Sequence, residues 1–336
     1  MTARDLHLPV AAQPSLEALL AVGTRAERLG YDRVWAPETW GRDAVTILTA
    51  LAERTEAIGL GTSILPVYSR SPALAGQTAA TLQEASEGRL RLGVGPSGPA
   101  VIENWHGRAF DRPLKQTREF VEIVRLVTAG ETADYDGDVF ELSGFRLRFD
   151  PPERPPVDVA GMGPKAVELA GRFADGWHAL LVTPEGLRDR LDDLRRGASL
   201  GDRDPEAVRV TLIMPCIALE DAARARRLAR QHIAFYIGGM GTFYRDALAR
   251  QGYEAMARTV HEAWTDGDRE RAIGALDEAL VTALTASGTP EQARERLARA
   301  SEQTGVDAVA VSLPRGASPE EITETVGALA PDRGGF

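Results

Sequence analysis

A carboxylate follows one of the short apolar runs of this chain. Glu38 lies in the segment Pro37–Arg42, directly after the apolar run Arg33–Ala36. A carboxylate at the end of a strand can accept a hydrogen bond from a ring N–H group of a ligand, or act as a general acid. The structural alternative is a loop carboxylate paired with Arg42. Glu38 is therefore a candidate site residue with two possible chemical roles and one structural role.

Two glycine-containing turns follow later apolar runs, at Gly95–Pro99 and Gly161–Lys165. Glycine lets the backbone approach a ligand closely, although a tight structural turn uses the same residues. The second turn enters a predicted helix with Lys165 in its first turn. Backbone N–H groups, the positive end of the helix dipole and an ammonium group together suit a phosphate or another anion. We therefore predict an anion site at the second turn.

The histidines do not have the spacing of a metal site. The chain contains His7, His106, His178, His232 and His261, with no H-E-x-x-H pattern and no pair on one helix face. We therefore expect no metal site. His106 remains a candidate because it lies in a polar segment, Glu103–Gly107, after the fourth predicted strand. The sequence also lacks a G-x-S-x-G elbow between a strand and a helix, a P-loop and a dinucleotide fingerprint, which disfavours hydrolase, NTPase and Rossmann-type functions.

The composition is that of an ordinary globular protein. The chain has 336 residues, a net charge of −10, 43% hydrophobic residues and 26% charged residues. The acidic balance argues against nucleic-acid binding, and the apolar content argues against disorder. The single cysteine, Cys216, excludes an intramolecular disulfide and is interpreted as a buried structural thiol. The N-terminal segment has no signal peptide or membrane span, so we expect a cytoplasmic protein without a membrane partner.

The elements that must position these residues alternate between short apolar runs and longer segments of helical periodicity. An Asp136–Gly137 turn predicts a small hairpin excursion, and a long region at about 220–287, broken by glycines, predicts a helical insertion. Eight strands, each followed by a helix, favour an α/β fold, the (β/α)8 TIM barrel, over an open sheet, and we predict a single domain over residues 1–336. The predicted strands are Leu6–Ala11, Arg33–Ala36, Ile58–Ile64, Arg89–Val94, Val157–Ala160, Trp177–Val182, Val208–Leu219 and Val306–Ser312.

Several of these segments match a known family in combination. They are Gly30–Glu38, Ile58–Pro72, Gly88–Pro99, Glu103–Gly107, Gly161–Lys165 and Ala174–Trp177, with looser matches at Gly239–Gly241 and Gly288–Glu291. The chain resembles the bacterial luciferase-like family of flavin and deazaflavin barrel enzymes. The match is closest to the branch of coenzyme F420-dependent oxidoreductases.

The resemblance implies a barrel that holds a deazaflavin ring at the carboxyl ends of its strands. It places a non-prolyl cis peptide between Ser63 and Ile64, behind the ring. It assigns the acidic position to Glu38. The candidate catalytic residues are Glu38 and, from its position after the fourth strand, His106 as a lower-ranked proton donor. The implied cofactor-binding residues are Glu38, Ser63, Ile64, Pro66, Pro96, Ser97, Asn104, Met162, Gly163 and Lys165, the last three on the phosphate side.

Two departures from the family pattern restrict the substrate. Sugar-phosphate dehydrogenases of the family carry a catalytic histidine and a glutamate where this chain has Thr39 and Gly98, so glucose-6-phosphate oxidation is disfavoured. We therefore predict an F420-dependent oxidoreductase that transfers a hydride between the deazaflavin C5 and a small organic substrate. The alternatives are an FMN-dependent luciferase-like monooxygenase and a non-catalytic flavin-binding barrel. Related barrels also suggest a homodimer.

Overall fold

A computed structural model describes residues 2–151 and 153–331. Its strands are β1 Ala3–His7, β2 Arg33–Ala36, β3 Gly59–Thr62, β4 Leu65–Pro66, β5 Leu90–Gly95, β6 Ala133–Asp136, β7 Glu141–Phe145, β8 Val157–Ala160, β9 Gly176–Leu180, β10 Arg209–Ala218, β11 Ala286–Gly288 and β12 Ala308–Ser312. Its helices are α1 Leu16–Arg28, α2 Ala44–Ala52, α3 Pro72–Ala85, α4 Pro99–Asn104, α5 Pro113–Thr128, α6 Pro164–Phe173, α7 Pro184–Leu200, α8 Ala222–Gly239, α9 Thr242–Leu248, α10 Glu254–Thr265, α11 Arg269–Gly274, α12 Glu278–Leu284, α13 Pro290–Thr304 and α14 Pro319–Ala328. A 3₁₀ turn spans Pro205–Ala207 and a π-helical turn spans Ala249–Tyr253.

The fold class is the one that the sequence predicts, an α/β (β/α)8 TIM barrel. Strands β6 and β7 form an antiparallel hairpin around the predicted Asp136–Gly137 turn. Helices α8 to α12 follow β10, where the helical insertion is expected. Among the described helices, none is both long and apolar enough to cross a membrane.

One compact unit comprises the described residues of Arg33–His178 and Asp192–Arg209. Within it β2, β3, β5, β8 and β9 pair in parallel in this order, and the short β4 pairs with β5. Gly93 in β5 is required by close approach, because a Cβ atom there would overlap the carbonyl oxygen of Thr62. The Thr62 hydroxyl also bonds both the amide and the carbonyl of Gly93, at 2.9 and 2.7 Å. Parallel pairing brings the carboxyl ends of these strands to one edge, where the following loops meet.

The second unit comprises the described residues of Met1–Asp32, Ala179–Leu191 and Val210–Phe336. In it β12 pairs in parallel with both β1 and β10, and β11 pairs with the end of β10. The helices after β10 enclose an apolar cluster that includes Ile233, Leu248 and Val260. Cys216 is fully buried, and this burial raises the pKa of its thiol to about 12, which confirms the structural interpretation.

Three sequence-based boundaries are wrong. Strand β1 ends at His7 and does not reach Ala11, because Pro9 has no N–H group to continue the ladder. The helical region ends at Leu284, since Thr285 is extended and leads into β11. A helix, α4, replaces most of the loop expected after the fourth barrel strand, with Pro99 in its first turn.

Candidate active site

Glu38 lies directly after β2 and is paired with an arginine, but with Arg70 and not with Arg42. Its Oε1 atom accepts a hydrogen bond from Arg70 and a longer one, 3.4 Å, from the Ser69 hydroxyl. Its Oε2 atom is buried and has no hydrogen-bond partner within residues 2–151 and 153–331. One oxygen is thus fixed by the protein, and the other has no partner among the described residues.

Arg70 holds two carboxylates at once. Its second terminal nitrogen lies 3.0 Å from Oδ2 of Asp43, the residue that caps α2 through the Thr46 amide. Burial alone would lower the pKa of Arg70, but the hydrogen bond and charge of Glu38, together with Asp43, outweigh it and raise that pKa. The guanidinium therefore stays charged and donates to Glu38 and Asp43.

The segment after β3 contains the cis peptide that the resemblance implies, between Ser63 and Ile64. The Ser63 amide donates to the carbonyl of Ala36 at 3.0 Å, and the Ile64 carbonyl accepts from the Glu38 amide at 3.4 Å. Pro66 follows in β4, which is buried and pairs with β5. The backbone therefore joins Ser63 to the end of β2 and Ile64 to the amide of Glu38.

A buried polar network lies behind this segment. The Ser63 hydroxyl is 3.1 Å from Nδ1 of His178, and Nε2 of His178 is 3.2 Å from Asp158 Oδ2. Arg91 binds Asp158 through two nitrogens, at 3.0 and 2.6 Å. The Trp35 ring packs against the imidazole edge-on, with centroids 4.6 Å apart. This network holds the Ser63 side chain in place through its hydrogen bond with His178.

The network has a defined direction of hydrogen bonding. Burial alone would raise the pKa of Asp158. The hydrogen bond from His178 and the charge of Arg91 outweigh burial and hold this pKa well below its ordinary value. Asp158 is therefore ionised and only accepts. With one proton on the imidazole, Nε2 donates to Asp158 and Nδ1 accepts from the Ser63 hydroxyl.

Sequence reasoning missed this network. The sequence pattern indicates no role for Asp158 or Arg91, and it presents His178 only as one of five histidines without metal-site spacing. A signal was present, because an aspartate inside the apolar run of a buried parallel strand requires a partner. Among the described residues, no group of three His, Cys, Asp or Glu side chains could hold a metal ion.

An aromatic stack connects the loop after β2 with the segment after β5. The Trp40 and Trp105 rings are nearly parallel, with centroids 6.3 Å apart, and Trp105 stacks on His106 at 5.0 Å. Both indoles are exposed, at 56% and 47%. The Nε2 atom of His106 is buried without a hydrogen-bond partner in the described part of the chain. The stack therefore brings the loop of Glu38 together with the segment of His106.

The turn after β5 is locally strained. Ser97 has a left-handed backbone with a φ of 60°, which is unfavourable for a residue with a Cβ atom. Pro96 and Ser97 are half-buried. Asn104, expected in a polar loop, is instead the exposed last residue of α4, since Val101 and Ile102 bury the other face of that helix. Within the part of the chain that the structure describes, no hydrogen bond joins Asn104 to the other candidates.

The predicted anion site lies at the start of α6. A Cβ atom on Gly163 would meet nothing within 4 Å, whereas one on Gly161 would lie 2.5 Å from Ala166. Gly161 is therefore required by packing, while Gly163 borders open space. The Trp177 indole fixes the turn by donating to the Gly161 carbonyl at 2.8 Å.

The two long side chains of this turn, Lys165 and Met162, differ in their exposure to solvent. Lys165 is 74% exposed and pairs with Glu168 at 3.1 Å, so an anion would compete with that pair. Met162 is half-buried beside Gly163.

Fold and site together define a class: an α/β barrel with a half-satisfied carboxylate, an aromatic stack and an open glycine turn after its strands. The sequence profile of the luciferase-like monooxygenase family matches residues 2–308. The chain belongs to this family, a family of enzymes, which confirms the resemblance.

Individual relatives agree with this assignment. A Mycobacterium tuberculosis protein named provisionally as a coenzyme F420-dependent oxidoreductase is 32% identical over 295 residues, covering 81% of this chain and 84% of the relative. A 5,10-methylenetetrahydromethanopterin reductase of Archaeoglobus fulgidus is 28% identical over 90% of this chain and 91% of the relative. The structure of the coenzyme F420-dependent tetrahydromethanopterin reductase of Methanopyrus kandleri has a TM-score of 0.83 and 22% identity, covering 98% of this chain and 97% of that one, and shows the same fold.

Proposed function

We propose that this protein is a coenzyme F420-dependent oxidoreductase that transfers a hydride between the deazaflavin C5 and a small organic substrate. The observation that carries the proposal is the buried Oε2 atom of Glu38, which has no hydrogen-bond partner in the described structure. A buried carboxyl oxygen without a hydrogen-bond partner is costly unless a donor arrives with a ligand. The names of the relatives support F420 as that ligand.

The residues present fit a deazaflavin. Glu38 would accept a hydrogen bond from a ring N–H group, with Ser63, Ile64 and Pro66 behind the ring. In this proposal Pro96, Ser97 and Asn104 contact the cofactor on the side of the turn after β5. Met162, Gly163 and Lys165 would take the phosphate side, where Gly163 borders open space.

The protein contributes orientation and exclusion of water. When bound, the deazaflavin supplies or accepts the hydride, since the cofactor carries the difficult chemistry. Arg70 holds one oxygen of Glu38 by a hydrogen bond, and the His178 network holds Ser63 in place. Trp40 and Trp105 cover the same edge of the unit, and the buried Nε2 atom of His106 is a candidate proton donor to the substrate.

The test is a fluorescence titration with coenzyme F420 and, separately, with FMN. We expect micromolar or tighter binding of F420, and about a tenfold loss of affinity in Glu38→Gln, since a neutral amide is a weaker acceptor. Glu103→Gln is the matched control, because Glu103 is exposed on α4. Unchanged F420 affinity in Glu38→Gln would contradict the role of Glu38.

Activity assays distinguish the proposed oxidoreductase from the monooxygenase and the non-catalytic alternatives. Reduced F420 should be oxidised in the presence of an organic acceptor without oxygen uptake. Preference for FMN with oxygen consumption would establish the monooxygenase alternative. Tight cofactor binding without turnover across a broad panel of substrates would establish a non-catalytic flavin-binding barrel.

Assembly and location follow from the same proposal. We propose a cytoplasmic homodimer that acts on a small molecule and binds neither nucleic acid nor membranes. Light scattering during size-exclusion chromatography should give twice the chain mass of 36.2 kDa. A mass of one chain across the micromolar range would contradict the dimer.

A further inference from the structure

The compact unit that contains Glu38 also has a cavity that the proposed function does not use. Its volume is about 620 Å³, and it lies between the carboxyl end of α5 and the segment that leads into β8. A volume of this size is typical of sites for small molecules. The cavity is near the amino end of β8, whereas the turn Gly161–Lys165 follows the carboxyl end of that strand.

The lining of this cavity is rich in arginine. It includes Arg146, Arg148 and Arg154, and Asp150 is the one acidic residue in the described lining. Arg146 and Arg148 are exposed, and neither makes a hydrogen bond or ion pair with another described residue. Three arginines against one aspartate leave an excess of positive charge in a chain whose net charge is −10. Such an excess favours an anionic ligand.

A second group of arginines adjoins the cavity through Arg154. Arg154 and Arg125 both pair with Asp175, at 3.3 and 2.8 Å. A third guanidinium, that of Arg203, lies 4.0 Å from the same carboxylate. Burial, together with repulsion from Arg125 and Arg154, lowers the pKa of Arg203. One carboxylate thus serves three guanidinium groups, so the positive charge beside the cavity is not neutralised.

The remaining lining suits the organic part of a ligand. Phe149 lines the same cavity and is 37% exposed. An exposed phenyl ring can stack on a planar ring of a ligand. The end of α5 is closed by two backbone hydrogen bonds, at 3.1 and 3.3 Å, from the amides of Gly130 and Glu131. The carbonyl groups at this helix end therefore already have donors of their own.

We infer that this cavity binds a phosphorylated organic molecule, with its phosphate groups on the arginines and its ring on Phe149. The arginines are Arg146, Arg148 and Arg154. Guanidinium groups stay charged at physiological pH and bind phosphate oxygens through paired hydrogen bonds. The inference goes beyond the proposed function and does not depend on it, because the cavity and the candidate active site lie at opposite ends of the strands.

Calorimetric titration tests the inference with two probes, in magnesium-free buffer at low salt. ADP carries a diphosphate and a planar ring, and inorganic pyrophosphate carries the diphosphate alone. We expect ADP to bind with a Kd below about 100 µM, pyrophosphate to bind about tenfold more weakly, and both to weaken at high salt. Binding of neither probe would overturn the inference.

The Phe149→Ala variant tests the stacking contact. It should lower the affinity for ADP to about that for pyrophosphate, while the affinity for pyrophosphate stays unchanged, because only ADP has a ring to stack. Equal affinities of the wild type for ADP and pyrophosphate would overturn the contact with Phe149.

A pair of double variants tests the arginines. Arg146→Gln with Arg148→Gln should weaken both probes about tenfold. The matched control is Arg188→Gln with Arg195→Gln, which removes the same charge from exposed arginines of α7, each paired with an acidic residue three positions away. The control should stay within about twofold of the wild type. Equal losses in the two double variants would indicate a general charge effect and overturn the inference.

The Lys165→Ala variant separates this cavity from the turn before α6. Both probes should bind this variant like the wild type, and the double variant of Arg146 and Arg148 should bind F420 like the wild type. Loss of ADP binding in Lys165→Ala, with none in that double variant, would overturn the inference. ADP binding that the double variant weakens, in a protein that does not bind F420, would overturn the proposed function and retain this site.

Discussion

Two carboxylates of the same compact unit are held in opposite ways. The side chain of Asp158 is 1% exposed, and Arg91 and His178 occupy both of its oxygens. The side chain of Glu38 is 12% exposed, and only one of its oxygens has protein partners. The first is a closed network and the second is an open one.

The difference distinguishes polar residues that stabilise the structure from polar residues that are available to bind a ligand. A buried polar network with every partner present rigidifies what it touches, and here it touches Ser63. A buried polar atom without a partner marks a place where a ligand can supply one. The same distinction sets His178, which uses both ring nitrogens, apart from His106, which leaves one unused.

The largest expected effect is on the closed network. Asp158→Asn removes the buried carboxylate that pairs with Arg91 and His178, so the free energy of unfolding should fall by about 3–5 kcal/mol in urea denaturation. Glu38→Gln, in the open network, should cost less, about 1–2 kcal/mol, because Arg70 keeps Asp43 as a counter-charge. Asp189→Asn is the exposed control. A similar loss for Asp158→Asn and Glu38→Gln would remove the distinction between the two regions.

The closed network should also account for part of the loss of unfolding free energy in acid. Because the pKa of Asp158 is lowered in the folded protein, its contribution is complete above its unfolded pKa of about 3.9. That contribution is lost as the pH falls through the folded value. The unfolding free energy of Asp158→Asn should therefore decline less steeply than that of the wild type below pH 4. Parallel pH profiles would show that Asp158 does not carry this response.

A smaller effect is expected at the strained turn. Ser97→Gly relieves a left-handed conformation and should raise the free energy of unfolding by about 1 kcal/mol. Glu87→Gly is a matched control, since Glu87 has a φ of 51° and lies outside the candidate site. If Ser97 contacts the cofactor beside Glu38, Ser97→Gly should also weaken F420 binding and Glu87→Gly should not. Equal F420 affinity in both variants would make Ser97 a plain turn residue.

The smallest effect is expected at Lys165. Its ammonium is exposed and already paired with Glu168, so Lys165→Ala should weaken F420 binding about threefold at low salt and less at high salt. The other lysine of the chain, Lys115, is also exposed and paired, with Asp138, and its Ala variant is the control. A loss of a hundredfold would mean that Lys165 leaves Glu168 and becomes a main contact.

The sequence was most informative where a local rule applied. The alternation of strands and helices predicts the barrel, and Ser15 and Asp43 cap α1 and α2 through short-range hydrogen bonds typical of these residue types. It was least informative where distant segments meet. The partner of Glu38 is Arg70, 32 positions away, and not the neighbouring Arg42.

Asn104 and the first strand show the same limit at shorter range. The helix that contains Asn104 depends on burial of Val101 and Ile102, which periodicity over six residues does not reveal. The apolar run after His7 has the composition of a strand, but Pro9 ends the ladder.

The amino-acid sequence alone determined the fold class, the turns after the strands and the residue types available there, because hydrophobic periodicity and turn chemistry act between near neighbours. Only the tertiary structure decided which polar atoms are satisfied. Whether Asp158 is closed by Arg91 and His178, and whether Glu38 keeps an unused atom, depends on side chains that folding brings together from distant parts of the chain.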